Sequence, residues 1–420
     1  MDALSGLDFL SGWGLTKAVS ERLLARIDRA FSTLPFGFAI ATPGAPDHLV
    51  GNGTPAFRIE LADERALLTL AALDEGRIAE AYMDGAFDVK GDILKLFELR
   101  TYLTDRHPLS YAWRFVQPVL MGQVRTNREA IATHYEREPA FYLSFLDETR
   151  CYTQGIFERP DEPLATAIHR KFDFALSACK LGPGSRLLEV GPGWGAFTEY
   201  AARKGVQITA ITISEQSKSF VEKLGRETGL DWDVELCDVL EYEPKERFDA
   251  VVLMGIMEHL PDYLTVLRKL QTMVKPGGTI YFDASAIRVK HSHSYFISRY
   301  IYPGNHTFMT IHDVLSAAAK TSLQIRGVHD DRESYFLTFQ RWARRFEERR
   351  DFIVQRFGER EYRRFHLYLW GAAHCFLADR LQCYRVVLTN PEAPSPTAGS
   401  RDARARALPR TPAPGARADG

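Results

Sequence analysis

The chain has 420 residues, which is enough for two domains that each bury a core. Its formal net charge is −1, with 53 basic and 54 acidic residues, so it lacks the basic excess of nucleic-acid-binding proteins, and we expect no nucleic-acid partner. Its 5 cysteines include no CxxC pair, which argues against a disulfide framework and a structural zinc site and favours a reduced, cytoplasmic setting.

We expect neither a secretory leader nor a membrane span. The first residues, MDALSGLDFLSGWGLTKAVSERLL, do not combine a basic start with a long apolar run, so they do not indicate a signal peptide. No apolar stretch approaches the roughly 20 residues that cross a bilayer. We therefore expect a cytoplasmic protein whose contact with the membrane, if it has one, is peripheral and at the inner face.

Residues 1–125 are predicted to form a smaller N-terminal α+β domain. The spacing of apolar residues predicts an amphipathic helix around Leu15 to Leu34, and the alternating stretch from Phe57 to Asp63 predicts a strand. Helical periods follow, interrupted by two glycines. The charged segment from about Met121 to Ala140 is predicted to be a helix that connects this domain to the next.

Residues 126–390 are predicted to form a second domain of α/β class. Five predicted strands alternate with helices, and their sequences are RLLEVG, VQITAITIS, WDVELCD, FDAVVLMGIME and GTIYFDAS. This alternation predicts a Rossmann-like parallel sheet with helices on both faces. Residues 391–420 are rich in Pro, Ala, Gly and Arg and carry too little apolar surface to fold, so we predict a disordered tail.

A glycine turn follows the first strand of this domain. Gly191, Gly193 and Gly195 are each separated by one residue, and Glu189 precedes them by two. A ligand of such a sheet binds beyond the carboxyl ends of the strands, and a dinucleotide, a mononucleotide or S-adenosylmethionine could bind there. The spacing is not the G-x-G-x-x-G of dinucleotide sites, and no GK[ST] follows, which excludes a P-loop. A tight strand–helix turn without a ligand is the remaining alternative.

The form E-x-G-x-G-x-G is typical of class I methyltransferases, which bind S-adenosylmethionine. The glycines let the backbone approach the amino-acid end of the cofactor, and the carboxylate of Glu189 can order the loop or help hold the ammonium group. Asp238, at the end of the third strand, lies where an acidic residue usually holds the adenine amino group. The stretch VKPGG before the fifth strand is a turn common in these enzymes. Together these features predict a cofactor site for S-adenosylmethionine.

Other stretches resemble the cyclopropane fatty acid synthase family, which includes the mycolic acid methyltransferases. The resemblance covers most of residues 130–390 and is carried by HYEREPAFYLSFLDETRCYTQGIF, GIMEHL, YIYPGN, TFQRWARRF and YRRFHLYLWGAAHCFLADRLQCYRVVL. IAEAYMDGAFDVKGD is similar to the N-terminal domain of longer members. The resemblance implies six further cofactor contacts, namely Tyr152, Thr153, Trp194, Thr212, Ser214 and Gln216.

The resemblance also implies the reaction. It is methyl transfer from S-adenosylmethionine to the double bond of an unsaturated acyl chain, usually on a phospholipid. Attack by the weakly nucleophilic alkene needs close alignment and leaves a carbocation, which aromatic faces and a carboxylate can stabilise. A base must then remove a proton, and it must take that proton from the new methyl group if a cyclopropane is to close.

In the family, the base is a bicarbonate held by a cysteine, a glutamate, a histidine and a tyrosine. Glu258 and Tyr335 match two of these positions, but Gln154 replaces the cysteine and Asp283 the histidine. Since Asp283 adds negative charge where bicarbonate would bind, we do not expect bicarbonate to bind in the family's way. Asp283 and Glu258 are then the candidate bases. We hypothesise a methylated olefin as the product, with a cyclopropane as the alternative.

The run from Arg341 to Trp370 mixes arginines with aromatic residues. It is either a solvated helix with salt bridges or a surface that contacts anionic lipid headgroups. His291, His293 and His306 lack metal-ligand spacing, so we predict no metal. Two other functions stay open, a methyltransferase of a small natural product and a non-catalytic lipid-binding relative. The sequence does not determine the oligomeric state, and a homodimer is compatible with it.

Overall fold

The computed structural model describes residues 15–105, 138–289, 294–302 and 307–392. The predicted domain boundary near residue 125, most of the predicted connecting helix and nearly all of the predicted tail lie outside these ranges, and these stay predictions. No helix of the described ranges is both long enough and apolar enough to cross a membrane.

The N-terminal region is a small α+β unit. Its elements are α1 (Lys17–Ala30), β1 (Gly37–Ala41), β2 (His48–Gly51), β3 (Pro55–Leu61), α2 (Ala66–Ala72), α3 (Glu75–Met83), β4 (Phe87–Gly91) and α4 (Ile93–Glu98). The four strands form a sheet in the order β2-β1-β3-β4, in which β1 and β3 are parallel. The predicted amphipathic helix is present as α1, and the predicted strand is present as β3. Alternate residues of β3 are buried against the helices, which accounts for its alternating sequence.

The second region contains a sheet of seven strands. They are β5 (Arg186–Val190), β6 (Gln207–Thr212), β7 (Asp233–Leu236), β8 (Phe248–Met254), β9 (Val274–Ala286), β10 (Gln324–Asp330) and β11 (Gln382–Thr389), in the order β10-β11-β9-β8-β5-β6-β7. The five predicted strands are β5 to β9, and they are parallel. The predicted Rossmann-like parallel sheet is confirmed in these five strands, and the complete sheet is mixed because β11 is antiparallel to both of its neighbours.

Helices cover both faces of this sheet, as predicted for the α/β class. They are α5 (Pro139–Leu143), α6 (Leu164–Ala178), α7 (Ala196–Ala202), α8 (Glu215–Thr228), α9 (Tyr263–Met273), α10 (Ile311–Ala318), α11 (Arg332–Glu348), α12 (Arg350–Phe357) and α13 (Glu359–Leu377). Successive strand residues point to opposite faces. Leu187 accordingly belongs to the core beneath α6 and α11, and Leu188 to the core beneath α9 and α10.

The order of the strands creates a switch point at the carboxyl ends of β5 and β8. The chain continues from β5 to β6 on one side, whereas β8 and β9 lie on the other. Loops leaving these ends diverge and open a crevice, which is where ligands of open α/β sheets bind. The glycine turn follows β5 at this point, and the motif GIMEHL follows β8.

The N-terminal unit docks on α13. The guanidinium of Arg363 donates hydrogen bonds to the carbonyl oxygens of Tyr82 (3.3 Å) and Phe87 (3.1 Å) and pairs with Asp88 at 2.7 Å. Further along the helix, a Cβ added to Gly371 would lie only 3.1 Å from the ring of Phe97. The missing side chain therefore lets α4 approach α13 closely.

Candidate active site

A cavity of about 180 Å³ lies at the switch point. Nine of the predicted cofactor contacts line it: Tyr152, Thr153, Glu189, Gly191, Gly193, Trp194, Thr212, Ser214 and Asp238. Two other predicted contacts are not among the described residues of its lining. Gly195 is the N-cap residue of α7, and Gln216 is exposed on α8.

The three glycines of the turn all have left-handed backbone angles, with φ of +74° at Gly191, +54° at Gly193 and +70° at Gly195. A Cβ at Gly191 would lie 2.3 Å from the end of the Ile256 side chain, and one at Gly195 would lie 2.7 Å from the end of that of Leu224, so a side chain there would displace a neighbour in addition to straining the backbone. A Cβ at Gly193 would meet no atom within 4 Å. Gly193 therefore borders open space in the cavity, as a close approach by a ligand requires.

Glu189 lies under this turn and is 3% exposed. Its carboxylate accepts a hydrogen bond from the hydroxyl of Thr198 at 2.6 Å. Burial raises the pKa of Glu189 to about 7. A buried carboxyl group with one weakly compensating hydroxyl suits a cationic ligand, because an ammonium group nearby would stabilise the ionised form.

Gly193→Leu is expected to weaken S-adenosylmethionine binding at least 100-fold while the protein stays folded, because the new side chain enters the cavity and the left-handed backbone costs only about 1–2 kcal/mol. Gly184→Leu is the matched control, since Gly184 has φ +81° and open space around its Cβ but does not line the cavity. Calorimetry on both variants checks this. Equal affinities in the two variants would show that the cofactor does not bind at the turn.

Glu258 lies on the turn that follows β8 and lines the same cavity. One oxygen, Oε1, accepts hydrogen bonds from the backbone nitrogen (2.6 Å) and the hydroxyl (2.7 Å) of Ser285. The other, Oε2, is buried and has no hydrogen-bond partner in the described part of the chain. Burial raises the pKa of Glu258 to about 7. A fixed carboxylate with one free oxygen and a pKa near neutrality is suited to accept a proton.

Tyr335, on α11, lines the same cavity as Glu258, and the centroid of its ring lies 4.5 Å from that of Phe376 and 4.9 Å from that of Phe339. Burial raises the pKa of the Tyr335 hydroxyl well above its usual value. The phenol therefore remains protonated and can act as a hydrogen-bond donor or as an aromatic face.

The side chains of Asp283 and Gln154 contact partners behind the cavity rather than lining it. The carboxylate of Asp283 is fully buried, accepts hydrogen bonds from the Gly255 nitrogen and the Tyr281 hydroxyl, both at 3.2 Å, and pairs with the Lys171 ammonium at 3.6 Å. The amide of Gln154 donates to Asp331 at 3.3 Å. Neither residue is among the described residues that line the cavity.

Lys171 is a residue that sequence reasoning missed. It is fully buried on α6, and its ammonium also contacts the hydroxyl of Thr153 and, at 3.6 Å, the sulfur of Cys151, both of which line the cavity. Burial lowers the pKa of Lys171 and is the largest single effect, but the surrounding groups, led by the charge of Asp283, together outweigh it and raise the pKa, so the ammonium stays charged. The sequence pattern could have indicated a buried lysine, because Lys171 occupies an apolar position of an amphipathic helix.

A second and larger cavity of about 710 Å³ adjoins the first. Five residues line both cavities: Ser285, Tyr302, Tyr335, Phe339 and Tyr368. The hydroxyls of Tyr302 and Tyr368 lie 2.9 Å apart. Both tyrosines lie in stretches that resemble the family, but neither was predicted as a site residue. The aromatic faces at this junction can stabilise a positive charge that develops between the two cavities.

The run from Arg341 to Trp370 forms part of the core rather than a continuous surface. Trp342, Phe346 and Phe365 are fully buried. Arg341 donates to the carbonyl oxygen of Glu162 at 3.1 Å, and Arg345 donates to that of Leu146 at 2.9 Å. Most aromatic residues of this run are therefore not available to touch a lipid surface, whereas Phe352 is 41% exposed.

No group of three or more His, Cys, Asp or Glu side chains in the described ranges could hold a metal ion. His291, His293 and His306 lie outside these ranges.

Comparisons with known proteins agree with this geometry. A family model described as mycolic acid cyclopropane synthetase matches residues 123–386. A probable fatty acid methyltransferase of Pseudomonas putida is 28% identical over 76% of this chain and 83% of its own length. The tuberculostearic acid methyltransferase of Mycobacterium tuberculosis is 28% identical over 74% of this chain and 77% of its own. A sphingolipid C9-methyltransferase of Emericella nidulans is 24% identical, and the match spans 64% of its length.

Solved structures show the same fold. The cyclopropane synthase MmaA2 of Mycobacterium tuberculosis aligns with a TM-score of 0.59 and 26% identity, over 62% of this chain and 98% of its own. Coclaurine N-methyltransferase aligns with a TM-score of 0.62 at 15% identity, over 74% of this chain and 99% of its own. The family match agrees with the glycine turn and the buried acidic residues. The chain therefore belongs to the mycolic acid cyclopropane synthetase family and is an S-adenosylmethionine-dependent methyltransferase.

Proposed function

We propose that this enzyme methylates a carbon of the double bond in an unsaturated acyl chain of a phospholipid. The observation that carries the proposal is the junction of the two cavities. The cavity at the glycine turn, which Glu258 lines, meets a large, mainly apolar cavity at Ser285 and the ring of Tyr335, and Ser285 is the residue that holds the other oxygen of Glu258. An apolar space of this size suits a long hydrocarbon rather than a small polar molecule.

The residues at the junction have distinct roles in the proposed reaction. When bound, S-adenosylmethionine supplies an electrophilic methyl group on its sulfonium. The apolar walls hold the alkene in line with it and exclude water, which would otherwise capture the carbocation. The rings of Tyr302, Tyr335 and Tyr368 surround the position where positive charge develops. Glu258 then accepts one proton, which balances the methyl cation gained by the chain.

The source of this proton determines the product. Loss of a proton from the chain regenerates a double bond and gives a methylated olefin, whereas loss from the new methyl group closes a cyclopropane. We propose the methylated olefin. In the family, a bicarbonate beside the new methyl group removes the proton, and the residues at two of its four anchor positions, Gln154 and Asp283, are turned toward Asp331 and Lys171.

The exposed end of the larger cavity fits the entry of a membrane lipid. Among its described lining residues, only Arg288, Val289, Asp379 and Arg380 are exposed. Val289 is 67% exposed, and Leu377, in the last turn of α13, is 48% exposed. Two arginines beside two exposed apolar side chains can contact anionic headgroups and the upper part of the acyl layer. We propose that the enzyme binds the membrane peripherally through this end, rather than through the run from Arg341 to Trp370.

The test is an incubation with methyl-labelled S-adenosylmethionine and vesicles. We expect label in the acyl chains of anionic, monounsaturated phospholipid vesicles, and a lower rate as salt rises, since exposed charges are screened. Vesicles with fully saturated chains are the matched control and should stay unlabelled. Label in saturated lipid, or equal rates on neutral and anionic vesicles at all salt concentrations, would contradict the proposed substrate or the proposed membrane contact, respectively.

A further inference from the structure

The N-terminal unit contributes a large part of the larger cavity. Of the lining residues, 18 lie within the first 105 residues of the chain. They include Phe31, which directly follows α1, Phe38 and Ile40 of β1, Ile59 of β3 and Leu70 of α2. The same five residues are members of the buried core of the unit. The cavity thus extends from the reactive junction into the core of a second domain.

A core of this kind is unusual for a folded domain. Protein interiors are close-packed, and unfilled apolar space forfeits contacts and lowers stability. An apolar cavity without polar partners does not hold ordered water but does take up apolar ligands. A cavity wall of two phenylalanine and three aliphatic side chains therefore suits a hydrocarbon ligand.

Small residues keep the passage between the two domains open. Ala79 on α3 and Gly371 and Ala372 on α13 all line the cavity at the point where the domains meet. Leu367, one turn before Gly371, packs against the N-terminal core. Ala79 itself belongs to the core of the methyltransferase domain. A larger side chain at any of these positions would narrow the passage.

The charged residues of the lining lie outside the part that α1, β1 and β3 form, and three of them, Arg288, Asp379 and Arg380, are exposed. Arg100 pairs with Glu75 at 2.7 Å and donates to the sulfur of Cys375 at 3.3 Å, close to Asp379 and Arg380 in sequence. The lining from α1, β1 and β3 is entirely apolar. This polarity fixes the direction of a lipid in the cavity, with the headgroup at the exposed end and the methyl end in the N-terminal core.

We propose, building on the proposed acyl substrate, that the N-terminal unit receives the part of the acyl chain beyond the double bond and determines which chain lengths the enzyme accepts. The methyltransferase domain holds the reacting carbons, and the core of the N-terminal unit forms the closed end of the binding site. The residues that set the accepted length are then those of the passage and of the closed end.

The test compares two phospholipids whose double bond lies at the same distance from the headgroup but whose chains differ in length beyond it. In Ala79→Leu, the kcat/KM ratio of the shorter to the longer chain should rise about tenfold over that of the wild type, a change typical of added methylenes in an apolar pocket. Ala81→Leu is the matched control, because Ala81 lies on the same helix but does not line the cavity. It should leave the ratio unchanged.

A second variant covers the case in which Ala79→Leu does not fold. Ile78→Ala removes atoms from the same wall at a half-buried position and should shift the ratio toward the longer chain by roughly threefold. Affinity for S-adenosylmethionine, measured on every variant, reports folding. If folded variants keep the wild-type ratio, the inference is overturned. If the wild type methylates neither lipid, the proposed substrate fails instead.

Discussion

Glu258→Gln is expected to lower kcat by about 10²–10⁴-fold while changing the affinity for S-adenosylmethionine by less than about threefold. The amide keeps the size of the side chain and can still accept from Ser285, but it cannot take up the proton that the carbocation must lose. The measurement is single-turnover methylation of vesicles, with cofactor affinity determined by calorimetry.

Asp283→Asn is the matched control, because it makes the same change at a buried carboxylate that is not among the described residues lining the cavity. We expect it to slow turnover far less than Glu258→Gln does. A larger loss for Asp283→Asn than for Glu258→Gln would assign the proton to Asp283 and contradict the role given to Glu258.

The role of Glu258 as proton acceptor also predicts how the rate of methylation depends on pH. Burial raises the pKa of Glu258 from 4.5 to about 7, so the carboxyl is mainly protonated, and inactive as a base, below that pH. The kcat/KM for lipid should therefore rise about tenfold per pH unit as pH approaches 7 from below and level off above it. This rising limb should be absent from the residual activity of Glu258→Gln.

Lys171→Met is expected to lower the free energy of unfolding by about 3–5 kcal/mol. The substitution leaves Asp283 buried without its cation and deprives the Thr153 hydroxyl of a partner. Urea unfolding measures the change. Lys223→Met is the matched control, since Lys223 is exposed and pairs with Glu227 at 3.5 Å on the surface, where the loss should be below about 1 kcal/mol.

The double variant Lys171→Met/Asp283→Asn tests whether the two charges are coupled. It should be more stable than the sum of the single losses predicts, because neither charge is then left unpaired. Additive losses, or a loss for Lys171→Met no larger than that for Lys223→Met, would show that the two buried charges do not stabilise one another.

The sequence was sufficient to predict the centre of the fold. The elements from β5 to β9 each carry a clear local pattern, and the glycine turn could be placed because φ above 0° and a close ligand both require glycine. Strand β11 was missed for a physical reason. It comes directly after the long helices α11 to α13, outside the alternation of strands and helices. Its residues are nearly all buried, and such a run does not indicate whether a strand pairs parallel or antiparallel.

The direction in which side chains point could not be predicted from the sequence either. Asp283 and Gln154 occupy positions that correspond to the family's anchor residues, but a position does not determine what a side chain contacts. Lys171 attracts the carboxylate of Asp283, and Asp331, which Arg385 holds at 2.5 Å and 3.0 Å, binds Gln154. These partners come from distant parts of the chain. The cavity in the N-terminal core was equally hidden, because apolar residues that surround a space have the same pattern as residues that fill it.

The most direct test of the proposed function uses S-adenosylmethionine with a fully deuterated methyl group and monounsaturated phospholipid vesicles, followed by mass spectrometry of the released acyl chains. We predict that the chains gain one methyl-derived carbon with all three deuterium atoms and lose one chain hydrogen, which is the methylated olefin. Retention of only two deuterium atoms would show that the proton came from the new methyl group, as in a cyclopropane, and would contradict the proposed product. Acyl chains of unchanged mass, with label in a headgroup or in no lipid at all, would contradict the central claim that this enzyme methylates the acyl double bond.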